Sequence, residues 1–138
     1  MKLLLKLEEL AMFLACAALL YMEHVSWWWY LLLLIGPDIS MIGYLAGNSA
    51  GAFMYNLFHH KGFGLLLAAI AMFFYLYVWE LPNSFYPDLE WLVFTGVVIF
   101  GHSSMDRFFG YGLKYKQGFK YTHLGEIGKK VDNDKTNF

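Results

Sequence analysis

Long apolar runs, interrupted by charge at only a few points, dominate the first 109 residues. A helix that crosses a bilayer needs roughly 20 mainly apolar residues, and residues 3–22 supply the first such run, with Lys6, Glu8 and Glu9 in its first third. These charges are expected at the entry interface. Lys6 can snorkel and pair with Glu9 at i,i+3, or Glu9 can turn inward to a site. Glu23-His24-Val25-Ser26 reads as a polar turn, with Ser26 capping the next helix and Trp27, Trp28, Trp29 and Tyr30 forming an interfacial aromatic belt.

The stretch from Trp27 to His60 is too long for one element. A continuous helix would be about 50 Å long against a hydrocarbon core of about 30 Å. Pro37 removes a backbone hydrogen bond and clashes with the preceding turn, which predicts a kink beside Asp38. Gly43, Gly47 and Gly51 recur every four residues and form a small-residue ridge suited to close helix packing. The pattern therefore predicts a kinked span over residues 26–46. A separate helix over 48–60, lying at or dipping into the membrane, follows with Ala50, Phe53, Met54 and Leu57 on one face.

Lys61-Gly62-Phe63-Gly64 is expected to break that helix, and residues 65–79 to form a third span without internal charge. An acidic, proline-marked loop over 80–88 leads to a fourth span at 89–109. Beyond it glycines, aromatics and lysines alternate without helical period, which predicts an ordered flap on the membrane surface. Residues 1–130 read as one all-α membrane domain without repeats, and 131–138 as a frayed polar tail.

Composition agrees with this reading: 59% of residues are hydrophobic, 20% aromatic and only 15% charged, far from the usage of soluble domains. The net charge of -1 conceals segregation, with Glu80, Asp88 and Glu90 on one side and the lysines from Lys114 to Lys130 on the other. If there are four crossings, Lys2, Lys6, Lys61 and the C-terminal lysines share a side, and the positive-inside rule puts both termini in the cytoplasm. An inner-membrane location follows. Nucleic acid is not implied. The basic flap suits anionic lipid headgroups, with a phosphate-cradling loop as the alternative. Cys16, the only cysteine, excludes an intrachain disulfide and reads as core packing. Glu8 and Glu9 interrupt the first run, no small-residue cleavage site follows, and a signal peptide is not expected.

Against this background Asp38 stands out, because a carboxylate in an apolar span is costly and marks a functional site by default. His102 and Asp106 lie one helical turn apart on the fourth span, at a depth similar to Asp38, so Asp38 and His102 are expected to face each other. Asn56 and His59 would join them if the short helix folds back. The candidate catalytic residues are Asp38, His102 and Asp106, and the candidate metal ligands are Asp38, His59, His102 and Asp106. Asn56, Arg107, Lys114 and His123 are further site positions, with Arg107 pairing a carboxylate or binding an anionic headgroup. Imidazoles with carboxylates suit a divalent ion such as Zn, Mn or Mg, which could activate water for hydrolysis. The same residues also suit a proton path, or hydrogen bonds that merely join helices.

Four motifs carry a resemblance. They are Pro37-Asp38-Ile39-Ser40-Met41-Ile42-Gly43-Tyr44-Leu45-Ala46-Gly47, Tyr55-Asn56-Leu57-Phe58-His59, His102-Ser103-Ser104-Met105-Asp106-Arg107 and Gly110-Tyr111-Gly112-Leu113-Lys114-Tyr115, followed by Phe119-Lys120-Tyr121-Thr122-His123-Leu124-Gly125. Over nearly its whole length the chain resembles the small bacterial membrane proteins grouped as domain of unknown function 4260. The resemblance implies a polytopic membrane protein and no particular activity. Two departures from the family pattern are Ser104 in place of a Gly and the lack of a Pro near Phe63. By analogy alone, bacterial membrane-bound metal-dependent hydrolases also place a Pro-Asp pair and scattered histidines on short spans. The expected function is thus metal-assisted hydrolysis of a membrane lipid or other hydrophobic substrate. The alternatives are proton-coupled transport or a channel, and a purely structural or interaction role. The small bundle is compatible with a homo-oligomer.

Overall fold

The computed structural model describes residues 2–78 and 89–128 and is mostly helical. The helices are α1 (Lys2–Met22), α2 (Trp28–Ile35), a 3-10 helix (Pro37–Ala46), α3 (Asn48–Phe58), α4 (Lys61–Val78) and α5 (Glu90–Phe109). A two-stranded antiparallel hairpin of β1 (Tyr121–Thr122) and β2 (Gly125–Glu126) follows. The expected acidic loop at 80–88 and the expected frayed tail lie outside the described residues.

The long element breaks at Pro37, as its missing N–H dictates. The chain does not resume as an α-helix there. It winds into ten residues of 3-10 helix, bent by 47° from α2. Runs of 3-10 helix beyond three or four residues are uncommon and often accompany functional sites. The next break falls at His59 and His60, so Lys61 opens α4 instead of interrupting it. Gly62 and Gly64 are tolerated inside the helix because Gly64 meets Gly96 of α5. A Cβ on either would lie 2.6 or 2.5 Å from the other's carbonyl oxygen.

Two local expectations are corrected. Trp27, not Ser26, occupies the N-cap of α2 and makes no side-chain cap; Ser26 contributes its carbonyl, which accepts from the Trp29 N–H at 3.0 Å. Glu9 pairs with Lys61 at the start of α4 and not with Lys6, because Lys61 offers a partly buried ammonium where Lys6 stays exposed. The buried face of α3 also differs: Gly51, Ala52, Tyr55 and His59 face inward, while Phe53 is exposed. Gly51 is required there because the Tyr44 ring occupies the space of a Cβ.

The helix α5 is the central post, packed by α1, α2 and α4. Cys16, Leu20, Trp29, Leu33 and Val98 make the core where α1, α2 and α5 meet. Trp29 belongs to that core, edge-on to Phe94, while Trp27 and Trp28 are exposed. Among the described residues few large hydrophobic side chains are buried and many are exposed, including Leu3, Leu14, Ile42, Phe73 and Leu76. No single helix is long and apolar enough to cross a membrane by itself. Among the described residues two bent pairs together reach that length and apolarity, Trp28–Ile35 with Pro37–Ala46 and Asn48–Phe58 with Lys61–Tyr77.

The crossing of α4 and α5 should tolerate no side chain at its closest point. Gly96→Leu is expected to cost about 1–3 kcal/mol through overpacking, read as a lower melting temperature in detergent. An unchanged melting temperature would contradict the backbone-to-backbone contact.

Candidate metal centre

Four segments each deliver one polar side chain to a single point. Pro37 starts the 3-10 helix and fixes Asp38 in its first turn; His59 is the C-cap of α3; His102 and Asp106 stand one turn apart on α5. Their ligating atoms all lie within 4.8 Å of one another. His59 Nε2 is 3.4 Å from Asp38 Oδ1 and 3.5 Å from Asp106 Oδ2. His102 Nε2 is 3.5 Å from Asp38 Oδ1 and 3.8 Å from Asp106 Oδ1. Asp38 and His102 thus face each other.

The backbone decides what these imidazoles can do. His59 Nδ1 lies 2.9 Å from the Tyr55 carbonyl oxygen, and His102 Nδ1 lies 3.1 Å from that of Leu33. A carbonyl oxygen only accepts, so each Nδ1 carries the proton. Each Nε2 is then either a lone pair or a second N–H. Both Nε2 atoms are buried without a hydrogen-bond partner. As lone pairs they would confront two carboxylates; as imidazolium groups they would pair with those carboxylates only at 3.4–3.8 Å, with their own ring centroids 5.0 Å apart. A cation among the four removes both conflicts. Backbone carbonyls on the remote nitrogen are also how metal-binding histidines are usually oriented.

The spacing agrees. Ligands about 2.0–2.1 Å from a tetrahedral ion stand about 3.3–3.4 Å apart, and the four imidazole-to-carboxylate separations run from 3.4 to 3.8 Å. Closure by a few tenths of an ångström would bring these four pairs to that spacing, while the widest separation in the set, 4.8 Å, would have to close by about an ångström or more. His102 is fully buried, whereas the Asp38 side chain is 42% exposed, so the cluster opens on the Asp38 side.

Tyr55 is a site residue that sequence reading did not single out. Its hydroxyl donates to Asp106 Oδ2 at 2.6 Å, and its ring stacks on His59 with centroids 3.7 Å apart. The available signal was its i,i+4 spacing to His59 on α3, hard to isolate among 10 tyrosines.

The other sequence candidates lie elsewhere. Asn56 does not join the cluster: its Nδ2 donates to the Lys114 carbonyl at 2.8 Å and its Oδ1 accepts from the Lys114 N–H at 2.6 Å. Facing the returning chain from α3, it satisfies backbone groups that would otherwise be orphaned. His123 ties the hairpin down, Nδ1 accepting from the Leu113 N–H at 2.8 Å. Arg107 is half-buried at the end of α5, and no ion pair joins it to a carboxylate among the described residues. Lys114 is buried, its Nζ 3.9 Å from the Phe119 ring centroid and 4.8 Å from that of Tyr55. Burial pushes this ammonium below its ordinary range, and Asp106 and Asp38 pull it back up. Ser104 is buried and donates to the Phe100 carbonyl at 3.1 Å, so its hydroxyl is absorbed within α5.

A family model described as domain of unknown function (DUF4260) matches residues 2–127, and the chain belongs to that family. Neither a curated protein nor a solved structure matches it.

If Tyr55 orients Asp106 as a ligand, Tyr55→Phe should weaken divalent metal binding about 10–100-fold, read by competition with a chromogenic chelator. Equal affinity in the variant would leave the Tyr55 hydroxyl without a role at the centre.

Proposed function

We propose that this member of the family is an integral membrane protein whose Asp38, His59, His102 and Asp106 hold one divalent ion, used to hydrolyse a bond in a membrane lipid or another hydrophobic substrate. The observation that carries the reading is the pair of buried, partnerless Nε2 atoms facing two carboxylates. Two imidazoles with two carboxylates suit Zn or Mn better than Mg, which prefers all-oxygen surroundings. When bound, such an ion would supply Lewis acidity to substrate and water, provided that one position beyond these four ligands is open. The protein's own part is to fix the ligands. Tyr55 and the two carbonyls hold the donor set, His102 closes its buried side, and the exposed flank of Asp38 leaves a way in.

Membrane insertion is supported by the exposed apolar belt on α1 and α4, which in water would be an aggregation hazard. α1 and α5, with 21 and 20 residues, are each about 30 Å long, and their charges cluster toward the ends. We read four crossings, made by α1, by α2 with the 3-10 helix, by α4 and by α5, with both termini cytoplasmic by the lysine distribution. In that frame His102 lies seven residues, about 10 Å, from the end of α5. Glu9 lies equally far from the start of α1, where it meets Lys61. Both depths lie inside the hydrocarbon core, about 5 Å from its midplane. A groove beside α3, lined by Ala46, Ala50, Ala52 and Phe53 and bordered by Lys114 and Lys116, offers apolar walls to a lipid chain.

Detergent-purified protein should carry about one equivalent of Zn or Mn by elemental analysis, lost in both His102→Ala and Asp106→Ala. Chelation should abolish release of product from lipid substrates, and the ion should restore it. Protein without metal, or variants that retain it in full, would remove the hydrolase reading. A second reading is proton movement, since exposed Asp38 and fully buried His102 form a step from surface to interior. It requires a pH-driven flux in proteoliposomes that Asp38→Asn abolishes; absence of flux in any gradient excludes it.

A further inference from the structure

Besides the two imidazole Nε2 atoms, three more buried polar atoms among the described residues lack a hydrogen-bond partner: Ser40 Oγ, the Tyr44 hydroxyl and Lys114 Nζ. The Lys114 ammonium and the Tyr44 ring both meet Phe119. Phe119 stands edge-on to Tyr44 with centroids 5.8 Å apart and lies 3.9 Å beneath the Lys114 ammonium. Tyr44 is six residues after Asp38 in the 3-10 helix, two full turns at three residues per turn, so both side chains leave the same face. Lys114 adjoins the cluster through Tyr55. His59 fills one face of the Tyr55 ring, the ammonium stands over that ring at 4.8 Å, and the Tyr55 hydroxyl holds Asp106.

The lysine is built into place. Asn56 clamps its N–H and its carbonyl, and the segment is bridged to Thr122 of β1. The rings of Phe119, Tyr55 and Tyr111 attract a cation without accepting its hydrogen bonds. An ammonium offers three donors and a phenol one, and burying a charge without acceptors costs several kcal/mol. Such a site lacks an acceptor-rich anion. We propose that Lys114 and Tyr44 form an oxyanion subsite for the phosphoryl group of the substrate, adjoining the metal ligands and separated from them by Tyr55.

A phosphoryl group has three non-bridging oxygens, enough to meet the three donors of the ammonium and the one of the phenol while its ester arm points toward the cluster; a carboxylate has two. The subsite rests on the hydrolase reading for its purpose, and on Lys114 and Tyr44 alone for its chemistry. The burial that lowers the affinity of Lys114 for its proton would be offset by the anion, which favours the charged amine.

The test uses the full chain in phosphatidylcholine nanodiscs, both metal-loaded and stripped by chelator, titrated with inorganic phosphate and followed by phosphorus NMR. Saturable binding is expected in both forms. It should weaken about tenfold or more in Lys114→Met and severalfold in Tyr44→Phe, the loss of one charged or neutral hydrogen bond, with metal content unchanged. Unweakened binding in both variants, or acetate binding as tightly as phosphate, overturns the subsite. If Lys114→Met does not fold, Tyr44→Phe decides alone. Competition by phosphatidate placed in the nanodisc identifies a lipid headgroup as the source; phosphate binding that phosphatidate does not displace identifies a soluble phosphoester. Lys114-dependent phosphate binding in a protein that takes up no metal would retain the subsite and remove the hydrolase reading, and metal uptake with Lys114-independent phosphate binding would do the reverse.

Discussion

Two backbone carbonyls, those of Leu33 and Tyr55, fix the protons of His102 and His59 on Nδ1, and most of the arrangement around the cluster depends on that choice. With the protons held there, both Nε2 atoms turn toward Asp38 and Asp106 without a hydrogen bond. Side chains that only joined helices would be expected to satisfy one another, since each unpaired buried polar group costs about 1–3 kcal/mol. Here the satisfied atoms are the remote ones, and the convergent ones are left over. Leu33 belongs to α2 and Tyr55 to α3, so the orientation of each imidazole is set by a different segment, and the cluster is as rigid as the packing of α2 on α5 and of α3 on the 3-10 helix.

Much of that packing uses small residues where backbones approach. Gly64 and Gly96 bring α4 against α5, and Gly51 admits the Tyr44 ring between α3 and the 3-10 helix. Hydrophobic burial contributes comparatively little: the core where α1, α2 and α5 meet is small and the outer surface is apolar. The ion pair of Glu9 with Lys61 ties α1 to α4. Its net stabilisation depends on how far it is desolvated, as partly buried pairs repay little of their own desolvation cost.

Helix existence and the meeting of Asp38 with His102 were legible because both follow from apolar run lengths and from depth along a span. His59 was legible for a similar reason, as a helix of fixed length must end somewhere. What sequence could not carry was partner choice at long range. Glu9 has Lys6 at an allowed local spacing, and only the fold brings Lys61 within reach instead. Asn56 sits at cluster height in sequence, but it is spent on the Lys114 backbone, a partner 58 residues away. Ser26 is a good cap by type, yet the helix begins one residue later than its side chain could serve. The start of α4 at Lys61 was hidden because two glycines, normally breakers, follow it, and one of them, Gly64, admits α5.

The 3-10 winding of residues 37–46 has a consequence for distance. Ten residues at about 2.0 Å rise extend about 20 Å, where an α-helix would give about 15 Å. Added to the eight residues of α2, about 12 Å, the chain gains about 32 Å of contour from eighteen residues. Tighter winding thus lengthens an otherwise short segment while turning Asp38 and Tyr44 to one side. Rewinding the same residues as an α-helix would draw the far end back by about 5 Å and rotate Tyr44 away from the face that carries Asp38.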